Sequence, residues 1–354
     1  MATRIPLILN QVTERIEELA EGDTLPGSFI EGFSGKNRII NGNFDIYQRG
    51  NPGTITNTAA YTADRWICSS AGAGATSNWG LGATTPGEIP DSVLFLGFNV
   101  VAGVSSAWVG QWIEGVHTFA GGKATVSFWM RSGVAGKKVG LLIQQHFGTG
   151  GSAMVEVQAS SAITLTTNFT KYTVTFDVPS IVGKTVGANN ALLLTFFYAD
   201  DRSSMFGGQL IGQTGLFEVA QVQMERGGKA TDFEWRPKAE EQLLCERYCQ
   251  LLDYGKGNGF TLCMVNGVNS VLAFLPLNSQ MRVVPTATRR GDLPTYTGPG
   301  AGTGANLTAL NIIPIGLSRL ALVGTIGVSG TVNQVGYLGS TNVNGFQILL
   351  DSEF

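Results

Sequence analysis

Lys36-Asn-Arg-Ile-Ile-Asn-Gly-Asn-Phe-Asp-Ile-Tyr-Gln-Arg49 decides the fold reading: an Asn-Gly pair follows Ile39-Ile40, and Phe44, Ile46 and Gln48 then alternate with their neighbours. Asn-Gly favours tight hairpin turns, and alternation with period two is the strand signature. The pattern predicts a strand over 38–48 entering a β-sandwich. A second stretch, Gln221-Val-Gln-Met-Glu-Arg-Gly-Gly-Lys-Ala-Thr-Asp-Phe-Glu-Trp-Arg-Pro237, closes the same segment. About two hundred residues of strand-like sequence lie between them, so the two stretches bracket a sheet that closes on itself.

Working outward, strands are predicted near 62–69, 92–101, 107–116, 123–131, 138–146, 153–158, 170–178, 190–199 and 215–225. Lys171 to Val178 alternates most clearly, and Leu192 to Tyr198 is apolar on both faces. Short strands separated by glycine turns, with no helix alternating between them, argue for a sandwich or jelly roll rather than a parallel α/β fold. The composition agrees. The 354 residues include 48 glycines and only 14% charged residues, against averages of about 7% glycine and about 25% charge.

Pro237 to Asp253 reads as a helix, with Pro237 in its first turn and Glu240 and Glu241 at its positive end. Its apolar positions Leu244, Tyr248, Leu251 and Leu252 are placed to clamp two β modules, while the Glu pair is expected on its solvated start. After Gly255 strands return near 259–265, 270–276, 283–287, 309–314, 318–329 and 346–352. Gly291 to Asn306, with Tyr296, reads as a long exposed loop at a distal tip suited to receptor contact.

Four stretches carry a resemblance. The Ile-Asn-Gly-Asn-Phe-Asp start, Ala63-Asp-Arg-Trp66, Val126-Ser-Phe-Trp-Met-Arg131 and Val219-Ala-Gln-Val-Gln-Met-Glu225 together resemble the carbohydrate-binding-module-like jelly roll of bacteriophage fibre proteins. Glu240 to Gln250 is similar to the short helix that leads into a second β module in that family, and Phe346 to Phe354 resembles its acidic last strand. The likeness covers roughly 37–254 well and the rest loosely. It implies an all-β chain: a jelly-roll β-sandwich over 36–236, a connecting helix over 237–254, and a smaller antiparallel β module over 255–354. It also implies a homotrimer, a virion location after assembly in the host cytoplasm, other virion proteins as partners, and host cell-surface glycan as the ligand.

The first 35 residues read as a helix and linker for oligomerisation or virion attachment. Ile5, Leu9, Val12, Ile16 and Leu19 are spaced four, three, four and three, the a/d pattern of a coiled coil. Two heptads are marginal alone, so this helix requires partners.

Several chemistries are disfavoured. A net charge of −3 offers no basic stripe for nucleic acid, and no apolar run approaches the roughly 18 residues of a membrane-spanning helix. Cys68, Cys245, Cys249 and Cys263 are expected as free buried thiols, because Cys245, Cys249 and Cys263 lack the paired spacings of a zinc site. No nucleophile elbow, zinc-protease helix or phosphate loop is present, so an enzyme is not expected. Asp200-Asp201 and Glu240-Glu241 are adjacent in sequence, which says nothing of the spaced carboxylates a glycosidase uses. No cofactor is expected. A structural calcium is implied only by the resemblance, at Asp45 and Glu218, since no dense Asp-rich loop is present.

Sugar binding must rest on aromatic faces with planar polar partners. Trp108 and Trp112 share one face of a strand, and Val109, Gln111 and Ile113 take the other. If Val109 and Ile113 point inward both indoles are displayed; otherwise the tryptophans are core, the more common fate of so large a ring. Trp79, in the glycine-rich Ser69 to Gly87 stretch, is the better exposed candidate, whereas Trp66, Trp129 and Trp235 read as structural. Tyr198, Asp200 and Arg202 complete the glycan candidates as a polar cluster at a strand end. Three readings follow: a glycan-binding tail or head fibre, a passive capsid or tail connector, and a polysaccharide-degrading tail enzyme.

Overall fold

A computed structural model describes residues 7–10, 15–18, 35–101, 103–255, 258–298, 302–327, 332, 334–340 and 345–354. The chain is almost entirely antiparallel β structure with one α-helix among the described residues. Two sheets stack face to face. One contains, in spatial order, Val155–Gln158, Lys138–His146, Ala191–Asp200, Ser106–Glu114, Trp66–Ala71 and Thr58–Tyr61, with Ile163–Thr164 added on Lys138–His146. The other runs Thr170–Val178, Gly122–Ser132, Gly215–Arg226, Leu94–Val100, Thr76–Ala83, Gly53–Thr56. From Ser106 to Arg226 the six long strands alternate between the sheets, the connectivity of a jelly roll. The inner faces meet in one core that includes Trp66, Phe98, Val109, Phe128, Phe196 and Met224.

The predicted strands from 92 to 225 match observed ones closely, with Lys138–His146 and Thr170–Val178 exact. The glycine-rich stretch after Ser69 contains the end of Trp66–Ala71 and the strand Thr76–Ala83. The predicted opening strand over 38–48 is also absent: this segment is extended and turn-rich, with Asn41 and Phe44 at positive φ. The physical reason is the buried polar content of the segment. Asn41 Nδ2 donates to Ile46 O at 2.7 Å and Asp64 O at 3.0 Å, which folds the backbone into a loop. Phe44 still inserts fully, its ring 4.9 Å from Trp66, and that burial contributes about 2–3 kcal/mol.

The expected helix over the first heptads is replaced. Leu7–Asn10 pairs antiparallel with Arg15–Glu18, placing Leu9 opposite Ile16 in register. A two-heptad helix is marginal alone, whereas a local hairpin satisfies backbone groups within a few residues of sequence, and β-branched Ile8 and Ile16 suit it. Ile5, Val12 and Leu19 lie outside the described residues.

The connecting helix is half its predicted length. Lys238–Glu246 is helical, but Cys249–Asp253 is a strand that pairs with Phe346–Asp351, which also pairs with Thr286–Gly291. Leu251 and Leu252 therefore sit in a three-stranded sheet rather than on a helix face. Beyond it a closed barrel is formed by Asn258–Gly267, Ser270–Pro276, Arg319–Ile326, Gly302–Pro314, Thr295–Gly298 and Val335–Ser340. The loop predicted over 291–306 is mostly barrel wall, and Tyr296 is fully buried. Gly298 and Gly336 make room for its ring: a Cβ at either would lie within 2.5 Å of Tyr296 atoms. A Gly-rich run read as a tip thus serves a tight interior.

Candidate glycan-binding face and the joint beside it

The site is built on Ser106–Glu114. Val109 and Ile113 are buried in the sandwich core, and Gln111 turns inward to exchange two hydrogen bonds with the Ile40 backbone, at 2.8 and 2.7 Å. Trp108 and Trp112 therefore point outward, each half-buried. Sequence alone leaned toward the opposite choice; Gln111 settles it, because its amide finds paired partners inside.

Register extends this face across the sheet, since directly paired residues share a side. Trp112 pairs with Leu193 and Leu193 with Gln144, whose Nε2 donates to Glu156 at 2.6 Å. Trp108 pairs with Phe197, ring centroids 6.4 Å apart, and both Phe197 and Leu193 are buried, Phe206 lying 6.4 Å from Phe197. Between the two indoles lie Gly110 and its partner Thr195, whose Oγ1 is buried without a hydrogen-bond partner among the described atoms. The indoles are four residues apart on one strand, about 13 Å at about 3.3 Å per residue.

At the Trp112 end the face drops into a cleft of about 480 Å³, lined in part by Trp112, His146, Thr149, Met154, Asn189, Arg282 and Phe354. His146 meets the Trp112 ring edge-on at 4.6 Å, and Phe354 stacks on Trp112 at 5.8 Å. Arg282 lies 4.0 Å over Phe354 and donates to Asn189 Oδ1 at 3.2 Å. Burial lowers the His146 pKa while Glu156 pulls the other way, and the ring's Nε2 meets Gln144 Oε1 at 3.3 Å. Burial likewise lowers the Arg282 pKa from its ordinary value. The lining contains aromatic faces, hydroxyls, an amide and a guanidinium, but no Asp or Glu. Such a mixture suits a neutral polyhydroxylated ligand.

The remaining candidates fall elsewhere. Trp79 is on the other sheet, half-buried, with its indole over Gly53, where a Cβ would lie 2.4 Å from Nε1. Tyr198 is a correction: a bulge between Phe197 and Ala199 turns it into the core, stacked on Phe217 at 4.6 Å. Asp200 is corrected too, because its carboxylate is buried and held bidentately by Arg202 at 2.9 and 2.7 Å. Arg202 keeps its exposed side near Phe197 at 5.9 Å and can still meet a ligand at that end. Trp235, read as structural, is 59% exposed. Asp45 accepts from Asn43 at 3.1 Å, and Glu218 is held by Arg131. Among the described residues no group of three or more His, Cys, Asp or Glu side chains is placed to hold a metal ion.

Phe354 and Arg282 carried no sequence signal, because each reaches the cleft only through the joint between the modules, whereas His146 and Asn189 come from the end of Lys138–His146 and the turn before Ala191–Asp200. That joint explains the opening stretch. Gln48 hydrogen-bonds Asp64 through both its backbone and side chain, and clasps the next module by donating to Cys249 O at 2.8 Å and accepting from Leu251 N at 2.9 Å. Arg49 bridges Asp64 at 3.6 Å, Asp351 at 2.9 Å and Glu353 at 3.4 Å. Arg65, fully buried, pairs with Glu353, donates to the Trp112 carbonyl and stacks 3.4 Å over Tyr248. Burial opposes its charge, yet Glu353 and the nearby phenols hold the guanidinium pKa above normal. Glu241 is buried, not solvated: it accepts from Asn41 N and faces Arg236 at 3.3 Å.

No known protein family matches the chain, and no curated protein matches it. Solved structures give distant likenesses. An enzymatically active domain of a bacteriophage CBA120 tailspike protein is 15% identical over 54% of this chain and 22% of its own, with a TM-score of 0.34. A family 11 carbohydrate-binding module of a Clostridium thermocellum cellulosomal cellulase is 12% identical over 50% of this chain and 97% of its own, TM-score 0.32. A xylan-binding domain from Paenibacillus barcinonensis is 17% identical over 46% and 92%, TM-score 0.31.

Proposed function

We propose that this chain binds glycan without transforming it, on the outer face of the seven-stranded sheet from Trp108 to the Trp112 cleft. The observation that carries the reading is the inward turn of Val109, Gln111 and Ile113, which displays two indoles on one side of one strand. An indole offers a flat apolar surface to a sugar ring, while Gln144, His146, Thr149 and Asn189 offer hydroxyl-sized polar partners along the same face. The finer assignment, a homotrimeric fibre of a phage particle that recognises host surface glycan, is supported by the motif resemblance. In this reading Asn-Gly-Asn-Phe-Asp and Ala-Asp-Arg-Trp are the two halves of the joint that sets the sandwich against the next module.

Binding is tested by affinity electrophoresis through gels containing purified bacterial surface polysaccharides. Trp108→Ala and Trp112→Ala should each weaken retention at least about tenfold, within the range of lost aromatic anchors. Trp79→Ala, on the opposite sheet, should leave retention unchanged. If both outward variants keep full retention while folded, the face is not the site; release of reducing ends by the unaltered protein would replace binding with catalysis.

A further inference from the structure

The Trp112 cleft continues past Phe354. Asn189, Arg282 and Phe354 also line a second cleft of about 480 Å³ that reaches Glu114 and His117. Those last two residues line a third cleft, of about 540 Å³, together with Lys36, Arg38 and Arg226. Shared walls make the three one groove around the end of the sandwich. Its course follows from the strand that builds the glycan face, because Glu114 stands two residues beyond Trp112 and so on the same side. The chain then turns at Gly115, whose φ is +82. A Cβ there would lie 2.4 Å from His117 Cε1, so this glycine leaves room for the imidazole.

The far end of the groove carries unmatched positive charge. Arg38 N donates to Met224 O at 2.9 Å, which sets Arg38 beside the strand that ends in Arg226. The Arg226 guanidinium lies over Gly122, where a Cβ would be 3.1 Å from Nη1. Arg38, Arg226 and His117 are exposed, and among the described residues none of their side chains makes a hydrogen bond or ion pair. The acids of the lining, in contrast, are already held. Glu114 accepts from Arg247 at 2.9 and 3.1 Å and from Tyr248 at 2.8 Å. Glu225 is buried and accepts from Thr231 N at 2.8 Å, Thr231 Oγ1 at 2.7 Å and Gln223 at 2.9 Å. Lys36 donates to the same Thr231 hydroxyl at 2.9 Å and stands as the cation near Glu225. With Arg247 set against Glu114 and Lys36 against Glu225, Arg38 and Arg226 remain as two uncompensated charges on one cavity. Like charges so placed repel until an anion lies between them.

We infer that the glycan taken by this chain is acidic, with neutral rings along Trp108 and Trp112 and an oxyanion further along the same polymer held by Arg38 and Arg226. The inference rests on the glycan reading above and names the class of polymer. A guanidinium presents paired N–H donors in a rigid fork that matches a carboxylate or a phosphate, and His117 adds a polar ring beside the two forks. A neutral polymer would leave both arginines facing each other unanswered. Nucleic acid is the poorer polyanion, because the surplus is confined to two side chains and the whole chain carries −3.

Affinity electrophoresis of the full chain through gels of purified acidic and neutral bacterial surface polysaccharides tests it. Arg38→Gln/Arg226→Gln is the groove variant, and Lys171→Gln/Arg319→Gln removes two exposed cations outside the groove as an equal-charge control. Retention of the parent should be confined to acidic polymers and fall as salt screens the contact. The groove variant should lose at least about tenfold, the worth of one hydrogen bond to a charged group, while the control keeps full retention. Reducing the carboxyls of a retained polymer, or removing its phosphates, should abolish binding and so identify the oxyanion; a polymer retained after both treatments overturns the inference. Equal retention on neutral polymers, or a groove variant retained like the parent, also overturns it, and the glycan reading survives if Trp112→Ala still weakens binding. Equal losses in control and groove variant overturn it as well, since diffuse charge would then suffice. Loss in the groove variant with full retention in Trp108→Ala and Trp112→Ala sinks the indole face instead, and retention on no polymer sinks both readings.

Discussion

Arg65→Met is the sharpest test of how the two modules are held together. Arg65 is 1% exposed and its partner Glu353 side chain is 2% exposed, so removing the guanidinium leaves a carboxylate in a dry site. Breaking a buried pair from one side costs about 3–5 kcal/mol. Arg49, 3.4 Å from the other Glu353 oxygen, remains as a second cation and argues for the lower end, about 3 kcal/mol. The lost stacking on Tyr248, 3.4 Å from the ring centroid, acts in the same direction. Adding Glu353→Gln should return about 2 kcal/mol, because the stranded charge is gone. All six tryptophans lie at or before Trp235, so indole fluorescence reports the sandwich while circular dichroism reports both modules. In urea the parent should unfold with coincident transitions by both probes, and Arg65→Met should shift them to lower urea and separate them. A single coincident transition with a midpoint loss equivalent to less than about 0.5 kcal/mol would refute the view that this pair couples the modules. A companion variant isolates the backbone: Arg65 has φ +71, so Arg65→Gly should be about 1 kcal/mol less damaging than Arg65→Ala.

Other outcomes follow from the same geometry. Burial works to raise the Glu114 carboxyl, but hydrogen bonds from Arg247 and Tyr248 outweigh it and hold its pKa below normal. A depressed carboxyl contributes stability in full above its unfolded pKa and loses it as pH falls through the folded one. Glu114→Gln should therefore be less stable than the parent at pH 6, with the difference shrinking below about pH 4.5 in thermal melts. Gly42→Ala should cost about 1–3 kcal/mol in urea unfolding, because its Cβ would sit 2.2 Å from Val222 O while Val222 N already donates to Gly42 O at 2.9 Å. Native Cys68 and Cys263, with thiol pKa values pushed up to about 12 and about 11 by burial, should resist a thiolate-specific reagent at pH 8 and react only on unfolding.

The sequence by itself determined the β class and most strands of the jelly roll. Those features rest on local information: period-two alternation as in Lys171 to Val178, and glycine punctuation between short runs. It also singled out the Asn-Gly-Asn-Phe-Asp and Ala-Asp-Arg-Trp stretches without revealing their work. Alternation in the first was coincidental, since Gln48 and Arg49 look outward to Cys249, Asp351 and Glu353, partners some two hundred to three hundred residues away. Which face of Ser106–Glu114 is core was undecidable locally, because Val109 and Ile113 and the two tryptophans are all apolar; the choice depends on where Ile40 delivers its backbone to Gln111. Tyr198 and Tyr296 were misplaced for a related reason: a bulge in the pairing with Ser106–Glu114, and room left by Gly298 together with the distant Gly336, turn each ring inward. Period and turn chemistry are written along the chain, but the partner of a buried polar group is fixed only when distant segments meet, and the tertiary structure alone supplied those partners.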